Sequence, residues 1–175
     1  MGGLVVEHAV TRSVRDSAAL LDAPAGPDAG DPYWAPPPAR PFLAEVGAPP
    51  GRLRIVFTTA ALDGTPVDDA CRRAVIDAAK LCADLGHIVE EGFPRIAADE
   101  VTPAFVTLWT ASVAAALDRD IATLGREPGD DEIEPLTRAL AGFGRARSAG
   151  DYLNAVAALQ RASRSVATFF ADRDV

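Results

Sequence analysis

The sequence predicts an α/β fold, a βαβ unit followed by a mostly helical remainder. Three observations lead there. Leu53-Arg54-Ile55-Val56-Phe57-Thr58-Thr59 is a short run rich in β-branched and aromatic residues, and His87-Ile88-Val89-Glu90-Glu91 is a second. Between them, residues 68–85 place Cys71, Ala74, Val75, Ala78, Cys82 and Leu85 at offsets 0, 3, 4, 7, 11 and 14, the spacing of one helix face. Beyond Pro94 the apolar residues recur at helical spacing in three further stretches. Strand, helix and strand with short links imply parallel strands, near 53–59 and 87–91, and a right-handed crossover.

The elements follow in chain order. Ser13-Val14-Arg15-Asp16 resembles a capping box in which Asp16 replaces the usual Glu or Gln, and Val14, Ala18 and Leu21 continue at helical spacing until Pro24 and Gly26 stop the helix near Ala23. Residues 26–50 are rich in Pro, Gly and Asp and include Ala35-Pro36-Pro37-Pro38. Such a stretch is extended and suits neither a helix nor a central strand. Tyr33, Trp34 and Phe42 interleave with its prolines, as in a surface strap whose aromatic side chains pack on a core.

A polar turn through Asp63, Gly64 and Pro66 leads into the βαβ helix, and Gly86 ends it. Thr102-Pro103 reads as an N-cap with proline at the first helical position, opening a helix whose face is Phe105, Leu108, Trp109, Ser112, Val113, Ala116 and Leu117. A weaker helix over about 132–147 is softened by Gly142 and Gly144. Ser148 caps the last helix, with Tyr152, Leu153, Val156, Leu159, Ser163, Val166, Phe169 and Phe170 in period.

Composition narrows the function classes. Of 175 residues 49% are apolar and 24% charged, the range of an ordinary globular domain, and 35 are alanine, so the helices should be closely packed. The net charge is -8, from 17 basic and 25 acidic side chains. That balance argues against nucleic acid as a partner, because a phosphate-binding surface needs clustered cations. No stretch carries the ~20 uninterrupted apolar residues of a membrane helix, and the N-terminus has no signal-peptide pattern, so the expected location is cytoplasmic. Cys71 and Cys82 fall on one helix about 16 Å apart, beyond the ~7 Å limit for a disulfide, and read as small core side chains. Two cysteines and two histidines without paired spacing supply no metal site, and nothing in the sequence calls for a cofactor.

Catalytic patterns are absent. The chain has no G-x-S-x-G elbow, no P-loop, no G-x-G-x-x-G and no H-E-x-x-H. Asp130, Asp131, Glu132 and Glu134 form the densest acidic run, in a spacing that fits a solvated helix start better than a calcium loop. Sixteen of the basic residues are arginine and the only lysine is Lys80, on the polar side of its helix. His87 reads as a strand-end residue rather than a base. No catalytic, metal-binding or cofactor-binding residue is assigned from pattern alone.

Thr11 to Tyr33, TRSVRDSAALLDAPAGPDAGDPY, resembles the stretch that follows the active-site serine in the amidase signature family. LRIVFTT from Leu53 resembles its next strand, DACRRAVIDAAKLCADLGHIVEE its next helix and strand, and the Asp151, Tyr152, Ala155 pattern its late helix. APPPARPFL and EHAVTRSVRDSA point to bacterial amidases similar to the 6-aminohexanoate cyclic dimer hydrolases.

This resemblance implies a partial amidase-type α/β/α fold in one partial domain. Its segments are a post-nucleophile helix (1–25), a Pro-rich strap (26–50), the βαβ unit (51–95), variable substrate-pocket helices (96–147) and a late helix (148–175). Members cleave linear amide C–N bonds with a Ser-cisSer-Lys triad, which needs a Gly-Gly-Ser-Ser-like segment and an upstream lysine. Here the serines stand alone at 13, 17, 112, 148, 163 and 165, and Lys80 falls on an element that does not carry the base. The resemblance therefore implies a fragment without the triad, inactive alone, whose parent enzyme takes a small-molecule amide. Met1-Gly2-Gly3 matches the point just past the nucleophile loop, and Asp174-Val175 the start of a central strand. Strands with uncovered edges would invite self-association. A reading of another class is a noncatalytic module that docks on a triad-bearing partner.

Overall fold

The computed structural model describes residues 5–175, which form two compact units, one of residues 5–51 and one of Arg52–Val175.

In the smaller unit, helix α1 (Val14–Asp22) starts where the cap predicts, with the Ser13 hydroxyl accepting the Asp16 N–H at 3.1 Å. A 3₁₀ turn, Phe42–Glu45, packs against it. The Asp22 carboxylate accepts the N–H groups of Phe42 (2.7 Å) and Leu43 (2.9 Å), fastening the turn to the helix end. Arg40 pairs with Glu45. No described residue of this unit is buried. The expectation that the strap's aromatics pack on a core fails for Tyr33 and Trp34, which stand 90% and 61% exposed. The prolines between 36 and 41 hold the backbone extended, and an extended segment without a ladder carries its side chains outward.

The larger unit begins with strand β1 (Arg54–Phe57) and ends its βαβ motif with β2 (Ile88–Glu91), paired in parallel with Arg54 opposite Ile88 and Phe57 opposite Glu91. Helix α2 (Asp69–Asp84) forms the crossover, capped by the Asp68 carboxylate on the Ala70 N–H. Gly86 turns the chain back with φ 93°, a conformation that favours glycine. On its other edge β1 meets the C-terminal residues. The Val56 N–H donates to the Val175 carbonyl (2.8 Å) and the Val175 N–H to the Arg54 carbonyl (3.3 Å), the pattern of a parallel ladder. Asp174 accepts the Arg54 N–H at 2.7 Å, and this bond holds its carboxyl below the usual range.

The face that α2 turns inward differs from the expected one. Ala79 is buried and Ile76 and Cys82 half-buried, whereas Cys71, Ala74, Val75, Ala78 and Leu85 of the expected stripe are exposed, Leu85 by 68%. Cys71 is thus not a core side chain, and both cysteines are free. Alanines lie on several sides of α2, so its apolar period selects a face weakly, and packing against β2 selects the Ala79 side.

Three helices make the rest of the core. Helix α3 (Ala98–Leu124) packs against α4 (Pro135–Arg145) and α5 (Ala149–Phe169). Ala104 and Leu108 meet Ala155, Ala158 and Leu159 of α5, while Ala114 and Leu117 meet Ala141 of α4. Leu108 is 1% exposed, and burying such a side chain contributes about 2 kcal/mol. Residues 101–117 of α3 carry no charge, and by length and composition this helix is apolar enough to cross a membrane; in the fold two of its faces are covered by α4 and α5.

Helix boundaries move in two places. α3 begins at Ala98 rather than after Thr102, and Pro103 lies inside it. The lost donor would have served the carbonyl of Asp99, an exposed residue that water reaches. α4 begins at Pro135, not near Glu132, because proline lacks an N–H and suits the first turn, where a backbone N–H would find no acceptor within the helix. Ser148 and Asp151 form the complete capping box of α5.

Gly144 does not soften α4. A Cβ there would stand 2.0 Å from the Thr110 carbonyl oxygen and 2.9 Å from Ala114 Cβ, so α4 crosses α3 closely at this glycine. On the α5 side, Leu153 and Phe170 of the expected face are 66% and 43% exposed, while Ala155 and Ala158, absent from it, are buried.

Candidate functional site

Parallel sheets bind ligands beyond the carboxyl ends of their strands, because loops diverge there and leave a crevice. In this chain residues 60–62 after β1 and 93–97 after β2 line a shallow cleft at that end. Its walls are Ala, Leu, Phe, Pro and Ile, with Arg95 the one ionisable residue among them. The Arg95 carbonyl accepts the Ser165 hydroxyl at 3.3 Å, which ties the cleft wall to α5. The Thr58 hydroxyl accepts the Ala60 N–H at 3.1 Å and fixes the loop leaving β1. The cleft offers shape and apolar surface, without an acid, a base or a nucleophile.

The serines are placed as structural groups. Ser13 and Ser148 cap α1 and α5; Ser163 donates to the Leu159 carbonyl and Ser165 to that of Arg95. Ser112 is half-buried on α3. Ser17 stands 3.0 Å from His8 Nε2, the distance of a nucleophile and its base. The same nitrogen lies 3.2 Å from the Ser17 carbonyl oxygen, and an N–H directed at that carbonyl has no lone pair for the hydroxyl. The pair ties residue 8 to α1 rather than activating Ser17.

Lys80 is 71% exposed on α2 with Asp77 at 3.7 Å, a solvated ion pair within one helix turn. The acidic run is a folded loop. Glu132 takes two bonds from Arg126 (2.6 and 2.7 Å) and one from the Gly129 N–H (2.6 Å), which together lower its carboxyl to about 2, Arg126 being the larger cause. Arg138 donates to the carbonyls of Pro128 and Gly129 and faces Asp130 at 3.3 Å. Among the described residues no group of three or more His, Cys, Asp or Glu gathers as a metal site would require.

Two close contacts went unread in the sequence. The first is Gly144 against Thr110, whose signal is the small pair Ala141 and Gly144 facing small residues of α3. The second is the His87 ring, whose Nδ1 accepts the Leu53 N–H at 3.2 Å.

A model of the amidase family matches residues 3–175. The chain belongs to the amidase family. It is 32% identical to a 6-aminohexanoate-cyclic-dimer hydrolase of Pseudomonas sp. (strain NK87) over 136 residues, 77% of this chain and 28% of that protein. It is 30% identical over 178 residues to a protein of Synechocystis sp. described as a putative amidase, covering 98% of this chain and 31% of the relative. A 6-aminohexanoate-cyclic-dimer hydrolase of Paenarthrobacter ureafaciens is likewise 32% identical over 136 residues, 77% of this chain and 28% of that protein.

Two solved structures of 6-aminohexanoate cyclic dimer hydrolase, one complexed with substrate, superpose with TM-score 0.81 at 26% and 27% identity. Each match covers 93% of this chain and 34% of the solved one. The chain therefore spans about a third of the length of these amidases and folds as that part of their α/β structure.

Proposed function

We propose that this chain is the noncatalytic body segment of an amide hydrolase that opens amide C–N bonds of small molecules through a Ser-cisSer-Lys triad carried by other parts of the enzyme. Amide cleavage needs a nucleophile, a base to take its proton and donors for the oxyanion. The observation that carries the reading is the surroundings of the one lysine. Lys80 lies in solvent beside Asp77, and its ammonium has no serine hydroxyl as a bonded partner among the described residues. Caps and backbone bonds occupy four of the six serines.

Within the enzyme, residues 51–95 extend the sheet and residues 148–175 lead back to it. Residues 1–25 and 26–50 supply the helix and strap after the nucleophile, and residues 96–147 wall the pocket. A half-exposed aromatic pair supports the last assignment. Phe105 and Trp109 are 39% and 37% exposed with ring centroids 6.2 Å apart, on a side of α3 distinct from its buried positions. The names of the relatives favour a cyclic or linear aliphatic amide as substrate. The same reading puts the enzyme in the cytoplasm, without a nucleic-acid partner, since the chain carries a net charge of -8.

Amine release by the purified chain tests the proposal. With 6-aminohexanoate cyclic dimer and simple primary amides as substrates, the expected rate equals that of buffer alone. Turnover that scales with protein concentration overturns it.

A further inference from the structure

We propose that His87 is an acid-sensitive latch on the sheet, its neutral imidazole serving as the first rung between β1 and β2 so that protonation unpins the start of β1. Leu53 lies just before β1, and both of its backbone groups are bound to consecutive residues across the sheet. Its carbonyl accepts the Ile88 N–H at 2.8 Å, an ordinary ladder bond. Its own N–H donates to His87 Nδ1 at 3.2 Å in a partly buried contact. A side chain thus does what a backbone carbonyl does elsewhere in the ladder.

The ring is held for this task from behind. The His87 N–H donates to the Cys82 carbonyl at 3.2 Å, and Gly86, at φ 93°, sets the turn that swings the ring from the end of α2 toward Leu53. Acceptance at Nδ1 fixes the tautomer, with the proton on Nε2. A second proton can go only onto Nδ1. The imidazolium has two N–H groups and no lone pair, so the Leu53 N–H loses its partner and meets a like-directed donor.

Charged residues near this contact come from each packed element. Arg52 and Arg54 flank Leu53, Asp84 closes α2, and Glu90 and Glu91 lie along β2. Arg54 is engaged with Asp174 and Glu90 with Arg173. Among the described residues, no carboxylate oxygen lies within 4.0 Å of a His87 ring nitrogen to hold an imidazolium in place. Protonation consequently removes a bond at this site without creating another. His8 is the chain's only other imidazole.

The test is the thermal midpoint of the full chain at pH 8 and pH 5 for wild type, His87→Asn, His87→Ala and His8→Gln. The wild type and His8→Gln should lose about 3 to 6 °C more on acidification than His87→Asn, whose amide oxygen occupies the place of Nδ1 and does not titrate. His87→Ala should melt low at both pH values. Equal acid shifts in wild type and His87→Asn overturn the proposal, as does a His87→Ala midpoint equal to wild type at pH 8. Should the variants fail to fold, amide exchange of the wild type decides. After correction for the intrinsic rate, protection of the Leu53 N–H should fall from pH 8 to pH 5 while that of Gly92 N–H, bonded to the Phe57 carbonyl at 2.9 Å, holds; unchanged Leu53 protection refutes the latch.

Discussion

Gly144→Ala should cost this fold far more than one methyl group suggests, and its neighbour Gly142→Ala should do the reverse. A Cβ at 144 would lie 2.0 Å from the Thr110 oxygen and 2.5 Å from its carbonyl carbon, both backbone atoms of α3 that no rotamer change can move. An ordinary C···O contact is about 3.3 Å, so α4 must back away by roughly 1.3 Å. A gap of 0.5 to 1 Å already forfeits a quarter to a half of the dispersion energy across an interface. The residues that lose it are Ala114, Leu117 and Ala141, with Val113, Ile121 and Ile133 around them.

Overpacking of this kind costs about 1 to 3 kcal/mol, and lost contacts across the crossing put this case at the upper end. Better helix propensity of alanine returns up to about 1 kcal/mol. The net, about 2 kcal/mol, lowers the melting temperature by roughly 4 to 8 °C. Gly142 has nothing within 4 Å of the same hypothetical Cβ, so Gly142→Ala keeps the propensity gain and should raise the midpoint by about 2 °C. Thermal unfolding followed by circular dichroism at 222 nm reads both. Equal shifts in the two variants, or a stable Gly144→Ala, would refute the close crossing of α3 and α4.

Ser148→Ala removes the hydroxyl half of the capping box and should destabilise by about 1 kcal/mol, read as a midpoint 2 to 4 °C lower in the same melts. The carboxyl of Glu132, held at about 2 in the fold against an ordinary 4.5, adds stability above pH 4.5 that disappears as the pH falls toward 2. Glu132→Gln should flatten that part of an acid-unfolding curve and lower stability at pH 7; an unchanged curve would mean that Arg126 and Gly129 do not hold the group. With Val75, Leu81 and Leu85 exposed on α2 and one edge of β2 unpaired among the described residues, the isolated chain should associate at high concentration. Light scattering that reports a monomer throughout would count against that surface.

The parts of the fold legible in the sequence are those where one residue type has one reading. Arg54–Phe57 and Ile88–Glu91 are strands because β-branched residues lie there between prolines and glycines, and Ser148 with Asp151 can only open a helix. Alanine has no such single reading. It fits a buried face and an exposed one alike, so the inward side of α2, with Ala79 buried and Ile76 half-buried, depends on the packing of the helix against β2, which period alone cannot supply. Thr102-Pro103 misleads for a related reason, since proline marks a helix start only if water or a neighbour cannot serve the carbonyl it leaves free. At the candidate site, the isolated serines and the single lysine carry the proposal that the triad lies in other parts of the enzyme. The His87 rung was not legible, because it depends on register: only when Arg54 pairs with Ile88 does Leu53 come opposite the ring.

The most direct measurement of the central claim is covalent trapping with a fluorophosphonate, which marks any serine activated by a base, read by intact mass. The chain should gain no adduct under conditions that label a full-length amidase completely. One stoichiometric adduct on a serine, lost in Lys80→Met, would mean that this segment carries its own nucleophile and base and would contradict the account.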